Sequence, residues 1–295
     1  MSKYTARFSG HQTFSLRYGW LYKFYQTSLR ADFKKLTIDE LMVEWGVGKN
    51  MVEALKYWAD RVGINQDNSE YITIHSNDPH LDNINSVWLI HWLLCRNATE
   101  LTAYRLLFNF YNGLTVDKAS FMQFIKELFE SRKFESDTNK NSSLQLSSEN
   151  TVNKDISTLF LTYASNKQGK VSEDSFSSPL SELGLIKQFN KQTYLCELEE
   201  RTTLSDAVFI YAMIDYFNYE SRQATISFDS FLMGEGSPAR IFRMSQGEVE
   251  MRLDKVAELT AGKIGWTDTQ GLRQIQIKDS TVFDDKSTFL NNIYK

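Results

Sequence analysis

Two apolar periodicities meet across a glycine-bracketed turn between Ile38 and Val62, and no other stretch of the chain limits its fold so tightly. Ile38, Leu41, Met42 and Trp45 recur at i, i+3, i+4 and i+7, the spacing of one helical face. Thr37 stands where an N-cap belongs, and Glu40 follows three residues later to complete a capping box. After "GVGKN" a second face begins with Met51, Val52, Leu55, Trp58, Ala59 and Val62, and Gly63 ends it. Val47 is available to fill the space between the two faces. Two short amphipathic helices across so tight a turn predict a helix-turn-helix.

The turn also contains Gly-x-Gly-Lys, which resembles the end of a phosphate-binding loop. That motif needs an earlier glycine five residues before Gly48 and a hydroxyl after Lys49. The chain has Val43 and Asn50 there, so a nucleotide cradle is excluded. Beyond Gly63 come "IN", the polar "QDNSE" and "YITI", which predict a β-hairpin. Helix, turn, helix and hairpin in that order make a winged helix.

The outward face of the second helix is expected to carry Lys49, Asn50, Glu53, Lys56, Tyr57 and Asp60. Lys49 and Asn50 start the helix, where recognition helices reach base edges and phosphates. Lys56 and Arg61 are candidate contacts to the DNA backbone, and bare Gly48 allows a phosphate close to backbone N–H groups. Upstream, "FSGHQTF" presents His11 and Gln12 between Phe8 and Phe14, with Arg7 and Arg17 on either side. This loop is expected beside the second helix. His11 reads either as a phosphate contact or general base, or as a histidine hydrogen-bonded inside a packed loop. Arg17 suits bidentate phosphate contact. No Cys or second His lies near enough to suggest a metal site.

The pattern returns. "INSVWLIHWLLCRN" is apolar nearly all round and reads as a buried helix, with His91 a core histidine. Helices follow at "TVDKASFMQFIKELFESRKF" and at "SSENTVNKDISTLFLTYAS", the second capped by Ser148, with the polar "ESDTNKNSSLQL" between them as an exposed loop. "LGLIKQFNKQTYLCEL" then predicts a hairpin turning at Asn190. Asn153 and Lys154 on the preceding helix are further candidate DNA contacts. A third copy runs through "LSDAVFIYAMIDYFN", Ser237-Pro238 as N-cap and N1, Ser245 with Glu248 as a capping box, and the hairpin "KIGWTDTQGLRQIQI". Its last helix is expected to expose Glu248, Glu250, Asp254 and Glu258 beside Arg252 and Lys255, a poor phosphate surface, with Arg273 on the wing as a weak exception. The reading is therefore mainly α with small β-hairpin wings, in tandem winged helix-turn-helix modules. Its divisions are 1–113, an N-terminal winged helix-turn-helix with flanking helices, then 114–200 and 201–295, both winged-helix-like.

Charge supports a DNA face at the N-terminal end. The chain is −4 overall, yet Met1–Arg61 holds ten Lys/Arg against six Asp/Glu, +4, leaving 23 against 31, −8, for the rest. Cys95 and Cys196 have no Cys-x-x-Cys partner, which suggests a reducing compartment. No apolar leader and no apolar run of about 18 residues is present, so a cytoplasmic location without membrane contact is expected. No HNH, Asp with Glu-x-Lys, H-E-x-x-H or G-x-S-x-G pattern is present, and catalytic residues are unknown.

"FSGHQTF", "RYGWLYKFY", "GVGKNMVEALKYWADRVGI", "SPARIFRM" and "DTQGLRQIQI" together resemble the prokaryotic domain-of-unknown-function family numbered four thousand and seven, over most of the chain. The resemblance implies a role in DNA phosphorothioation linked to phage defence. It implies partners among the proteins of that system: a cysteine desulfurase, an ATP pyrophosphatase and an ATPase. It also implies kinship with the nicking component of Ssp-type systems. It supplies no catalytic residue. The expected function is binding of double-stranded DNA within such an assembly, with no cofactor. The alternatives are a metal-dependent DNA nickase that opens one strand for sulfur insertion, the one case that calls for a divalent metal, and a protein-binding scaffold.

Overall fold

The computed structural model describes residues 4–64, 69–96, 100–131, 146–164, 178–218, 223–269 and 271–295. It is mainly helical, with two small three-stranded antiparallel sheets and one two-stranded parallel pair among the described residues. The chain divides into two compact units, the first of residues 1–107 and 111–197, the second of residues 108–110 and 198–295.

In the first unit, β1 (Thr5–Ala6) leads through an irregular loop to α1 (Trp20–Ser28), α2 (Ile38–Trp45) and α3 (Lys49–Val62). The Thr37–Glu40 capping box is formed, and Gly46 ends α2 at a positive φ of 63° that favours glycine. Trp45 and Trp58 are fully buried, with indole N–H groups donating to Thr27 Oγ1 (2.9 Å) and the Phe14 carbonyl (3.1 Å). The hairpin expected after α3 is corrected: "YITI" lies inside α4 (Ser69–Asn77), and "QDN" lies outside the described residues. The run is β-branched, but Tyr71 and Ile74, one helical step apart, are the two that bury. Thr73, Ser76 and Asn77 each donate to the carbonyl four residues back, at 2.8–3.0 Å.

The buried α5 (Ile84–Arg96) contains His91, which is fully buried and hydrogen-bonded to the Tyr163 hydroxyl at 2.6 Å, the core role expected of it. Then follow β2 (Glu100–Leu101), parallel to β1, and α6 (Ala103–Phe110). Next come β3 (Thr115–Asp117), α7 (Lys118–Glu130), α8 (Glu149–Tyr163), β4 (Lys187–Gln188) and β5 (Thr193–Leu195). The expected caps and hairpin hold here: Ser148 caps α8, and β4–β5 turns at Asn190. The sheet order is β3-β5-β4. Of the "ESDTNKNSSLQL" tract, residues 135–145 lie outside the described residues.

The second unit contains α9 (Asp206–Tyr216), β6 (Thr225–Ser227), α10 (Phe228–Met233), α11 (Pro238–Ile241), α12 (Gln246–Asp254), α13 (Val256–Leu259), β7 (Ile264–Thr269), β8 (Leu272–Ile277) and α14 (Lys286–Asn292). Its sheet order, β6-β8-β7, repeats that of the first unit: a strand, helices, then a hairpin whose second strand lies between the other two. Ser237 caps α11 with Pro238 at its start. The capping box at Ser245 is only half formed: Ser245 accepts from Glu248 N, but the Glu248 carboxylate binds Arg252 Nε at 2.7 Å. Glu248 and Arg252 are therefore buried, not exposed as expected. Arg252 also reaches Asp206 and the carbonyls of Arg201 and Leu204. Among the described residues no helix is long and apolar enough to cross a membrane.

Candidate nucleic-acid interface

The "FSGHQTF" loop lies beside α3, as its sequence led us to expect. Trp58 holds the Phe14 carbonyl, the Gln12 amide donates to Glu53 at 2.7 Å, and the His11 ring meets Tyr57 edge-on at 5.4 Å. The loop is strained: Ser9, Gln12 and Thr13 have φ of 71°, 48° and 65°, and Gly10 has 104°. Gly10 also needs its bareness, because a Cβ there would sit 2.7 Å from the Tyr57 ring.

His11 is not presented to solvent; it is buried, and its Nε2 lies 2.7 Å from Asp155 Oδ1. Its Nδ1 accepts from Thr13 N at 3.0 Å, so these bonds assign the neutral tautomer with the proton on Nε2. Asp155 is fully buried on α8 and also accepts from Ser9 N (3.2 Å) and Ala103 N (3.1 Å). Ala103 opens α6, so the carboxylate also sits at the positive end of a helix dipole. One side chain thus ties the loop, α6 and α8 together. Asp155 was missed in the sequence, although its position there was a signal: Val152, Asp155, Ile156 and Leu159 form one apolar stripe with a carboxylate inside it. The Tyr57 hydroxyl is buried without a hydrogen-bond partner, and burial, followed by the nearby Asp155 charge, pushes its pKa well up. The outward position expected for Tyr57 is therefore corrected.

The candidate contacts divide into two sets. Lys49 and Asn50 are exposed at the start of α3, where Gly48 offers no side-chain cap. Lys56 is half-buried further along the same helix. Lys154 is exposed and Asn153 half-buried on α8, next to the Asp155 that anchors the loop. Arg17 is half-buried, with its guanidinium over the rings of Phe14 and Trp20 at 5.5 and 5.6 Å. Arg61 is corrected: it is buried, paired with Asp60 at 2.5 Å and with Glu100, over the Tyr57 ring. On α3 it falls on the stripe that carries Ala54 and Trp58 inward, which removes it, like His11, from the surface.

Neighbouring surfaces oppose phosphate. The outer side of α2 carries Asp39, Glu40 and Glu44 around exposed Val43, and Arg30 nearby is occupied by Asp32 and Glu44. In the second unit Arg273 lies over Phe228 at 4.1 Å and binds Glu250 at 2.5 Å, so the wing exception does not project outward. Arg201 and Arg240 there donate to backbone carbonyls, and burial lowers the pKa of each to about 10. No group of three or more His, Cys, Asp or Glu side chains among the described residues is placed to hold a metal ion.

These features define a mainly helical protein of two units, each with a three-stranded sheet of the same order, and with an N-terminal loop stapled between two helices. The chain belongs to DUF4007, a family described as proteins of unknown function, whose model matches residues 8–294. Two solved structures are similar to it. One is the magnesium ion-bound SspB crystal structure, at TM-score 0.82 and 24% identity, covering 98% of this chain and 89% of that one. The other is an SspB crystal structure, at TM-score 0.80 with the same identity and coverage. The likeness establishes a shared fold. No curated protein matches.

Proposed function

We propose that the protein is the DNA-binding component of a DNA phosphorothioate-modification and phage-defence system, working with that system's desulfurase, ATP pyrophosphatase and ATPase. On this reading α2 and α3 form a helix-turn-helix followed by a helix instead of a wing. The segments 114–200 and 201–295 are winged-helix modules. The observation that carries the reading is the connectivity common to both sheets, β3-β5-β4 and β6-β8-β7, with helices between the first strand and the hairpin. The fold shared with SspB supports it, as does the N-terminal basic excess. Duplex DNA meets Lys49, Asn50 and Lys56 on α3, with Arg17 beside them and Asn153 and Lys154 on α8. Fluorescence anisotropy with a labelled duplex tests it: binding that weakens steeply with salt is expected. Binding that is absent at low salt contradicts it.

A second reading, a metal-dependent DNA nickase, is favoured by the magnesium in the SspB crystal. Among the described residues no group of three or more His, Cys, Asp or Glu side chains is placed to hold such an ion. Nicking of supercoiled plasmid that co-elutes with the protein, needs Mg²⁺ and is lost on changing one carboxylate would establish this reading. We expect plasmid to remain supercoiled with the protein alone.

A further inference from the structure

The β4–β5 hairpin ends in six consecutive exposed residues, Lys187 to Gln192. Two are lysines and none is acidic, so this tip is +2 in a chain of −4. At its centre Phe189 is 69% exposed. A single exposed apolar side chain is ordinary; this one sits on a tightly hydrogen-bonded turn. The N–H groups of Phe189 and Asn190 both donate to the Thr193 carbonyl, at 3.0 and 3.2 Å. The Asn190 carboxamide oxygen accepts from Gln192 N and Thr193 N at 2.9 and 2.8 Å, an Asx turn that fixes the tip. The base of the hairpin is fastened to α8, where Tyr194 stacks on Phe160 at 4.3 Å and 26°.

An apolar wedge flanked by lysines and amides on a rigid ribbon is the chemistry of side chains that enter a DNA base step from the minor groove. The hairpin of the second unit also exposes an apolar side chain, Leu272, but without the lysines: its tip carries Asp268 and its arginine is turned onto Phe228 and Glu250. We propose that the 187–192 tip is a DNA contact in which Phe189 inserts at a base step of a duplex and Lys191 neutralises an adjacent phosphate. This rests on the DNA-binding reading above.

The test uses the full chain, a fluorescein-labelled duplex for affinity and a 2-aminopurine duplex to report unstacking. Wild type is expected to bind and to raise 2-aminopurine fluorescence. Phe189→Ala is expected to lose about 5- to 150-fold in affinity and the fluorescence rise, with its salt slope unchanged. Phe189→Trp should restore both, because stacking needs only a flat ring. Lys191→Glu should weaken binding and flatten the salt slope by about 0.9 or more. Wild-type binding with Phe189→Ala indistinguishable from it overturns the wedge while leaving the DNA-binding reading intact. Failure of wild type to bind any duplex overturns the parent reading, and the wedge with it.

Discussion

His11 and Asp155 illustrate what a residue can and cannot reveal on its own. A histidine among short polar residues invites a surface role, and "FSGHQTF" gives no local hint of where its ring points. The carboxylate that claims it lies 144 residues away, and the same carboxylate also serves Ser9 N and Ala103 N. Only the tertiary fold brings these groups together, so periodicity could mark Asp155 as an anomaly in an apolar stripe but could not name its partners. The consequence for His11→Ala is a loss of about 1–3 kcal/mol of stability, because the buried carboxylate keeps its two backbone donors but loses the imidazole N–H, with duplex affinity of the folded protein unchanged. Asp155→Ala should cost more, since it leaves a buried imidazole N–H and two backbone N–H groups without an acceptor at once, each worth about 1–3 kcal/mol. Urea melts paired with binding curves on the same samples decide this. A His11→Ala protein with wild-type stability but weakened DNA binding would return the ring to the surface role.

Element boundaries were largely legible where the chemistry is local. The Thr37–Glu40 box, the Ser148 cap, Ser237-Pro238 and the hairpin turning at Asn190 each need only neighbours within four residues. The reading failed where a local preference met a tertiary one. "YITI" has strand propensity, yet burying Tyr71 and Ile74 on one helical face decides its conformation. Glu248 could complete a capping box, yet buried Arg252 takes its carboxylate.

One cap missed in the sequence makes a pH prediction. Asp117 caps α7 by accepting from Ala119 N (2.8 Å) and Ser120 N (2.9 Å), and these bonds, that to Ser120 first, hold its carboxyl below the ordinary 3.8. A depressed carboxyl contributes stability that is present above its unfolded pKa and is lost as pH falls through the folded one. Asp117→Ala should therefore cost about 1 kcal/mol at pH 7, and part of that difference from wild type should be lost as pH falls below the ordinary carboxyl range. Asp117→Asn should keep most of the cap at neutral pH. A cost for Asp117→Ala that stays constant from pH 7 to pH 2 would show that the carboxylate is not what stabilises the helix.

At the scale of the whole molecule, charge was legible in the sequence while its accessibility was not. The N-terminal segment is basic, and folding leaves Lys49 and Asn50 exposed, but it buries Arg61 against Glu100 and places acidic side chains along α2. In the second unit Arg201, Arg240 and Arg252 are consumed by carbonyls and carboxylates of their own unit, which leaves little for phosphate. The proposed DNA surface therefore draws on lysines of the first unit and not on these arginines. A salt titration of duplex binding, wild type beside Lys49→Glu and Lys56→Glu, tests this most directly. Each charge reversal should weaken binding and lower the slope of log K against log salt by about 0.9 or more, without changing the melting temperature. Both variants tracking wild type across the titration would contradict the account, because DNA would then meet some face other than α3.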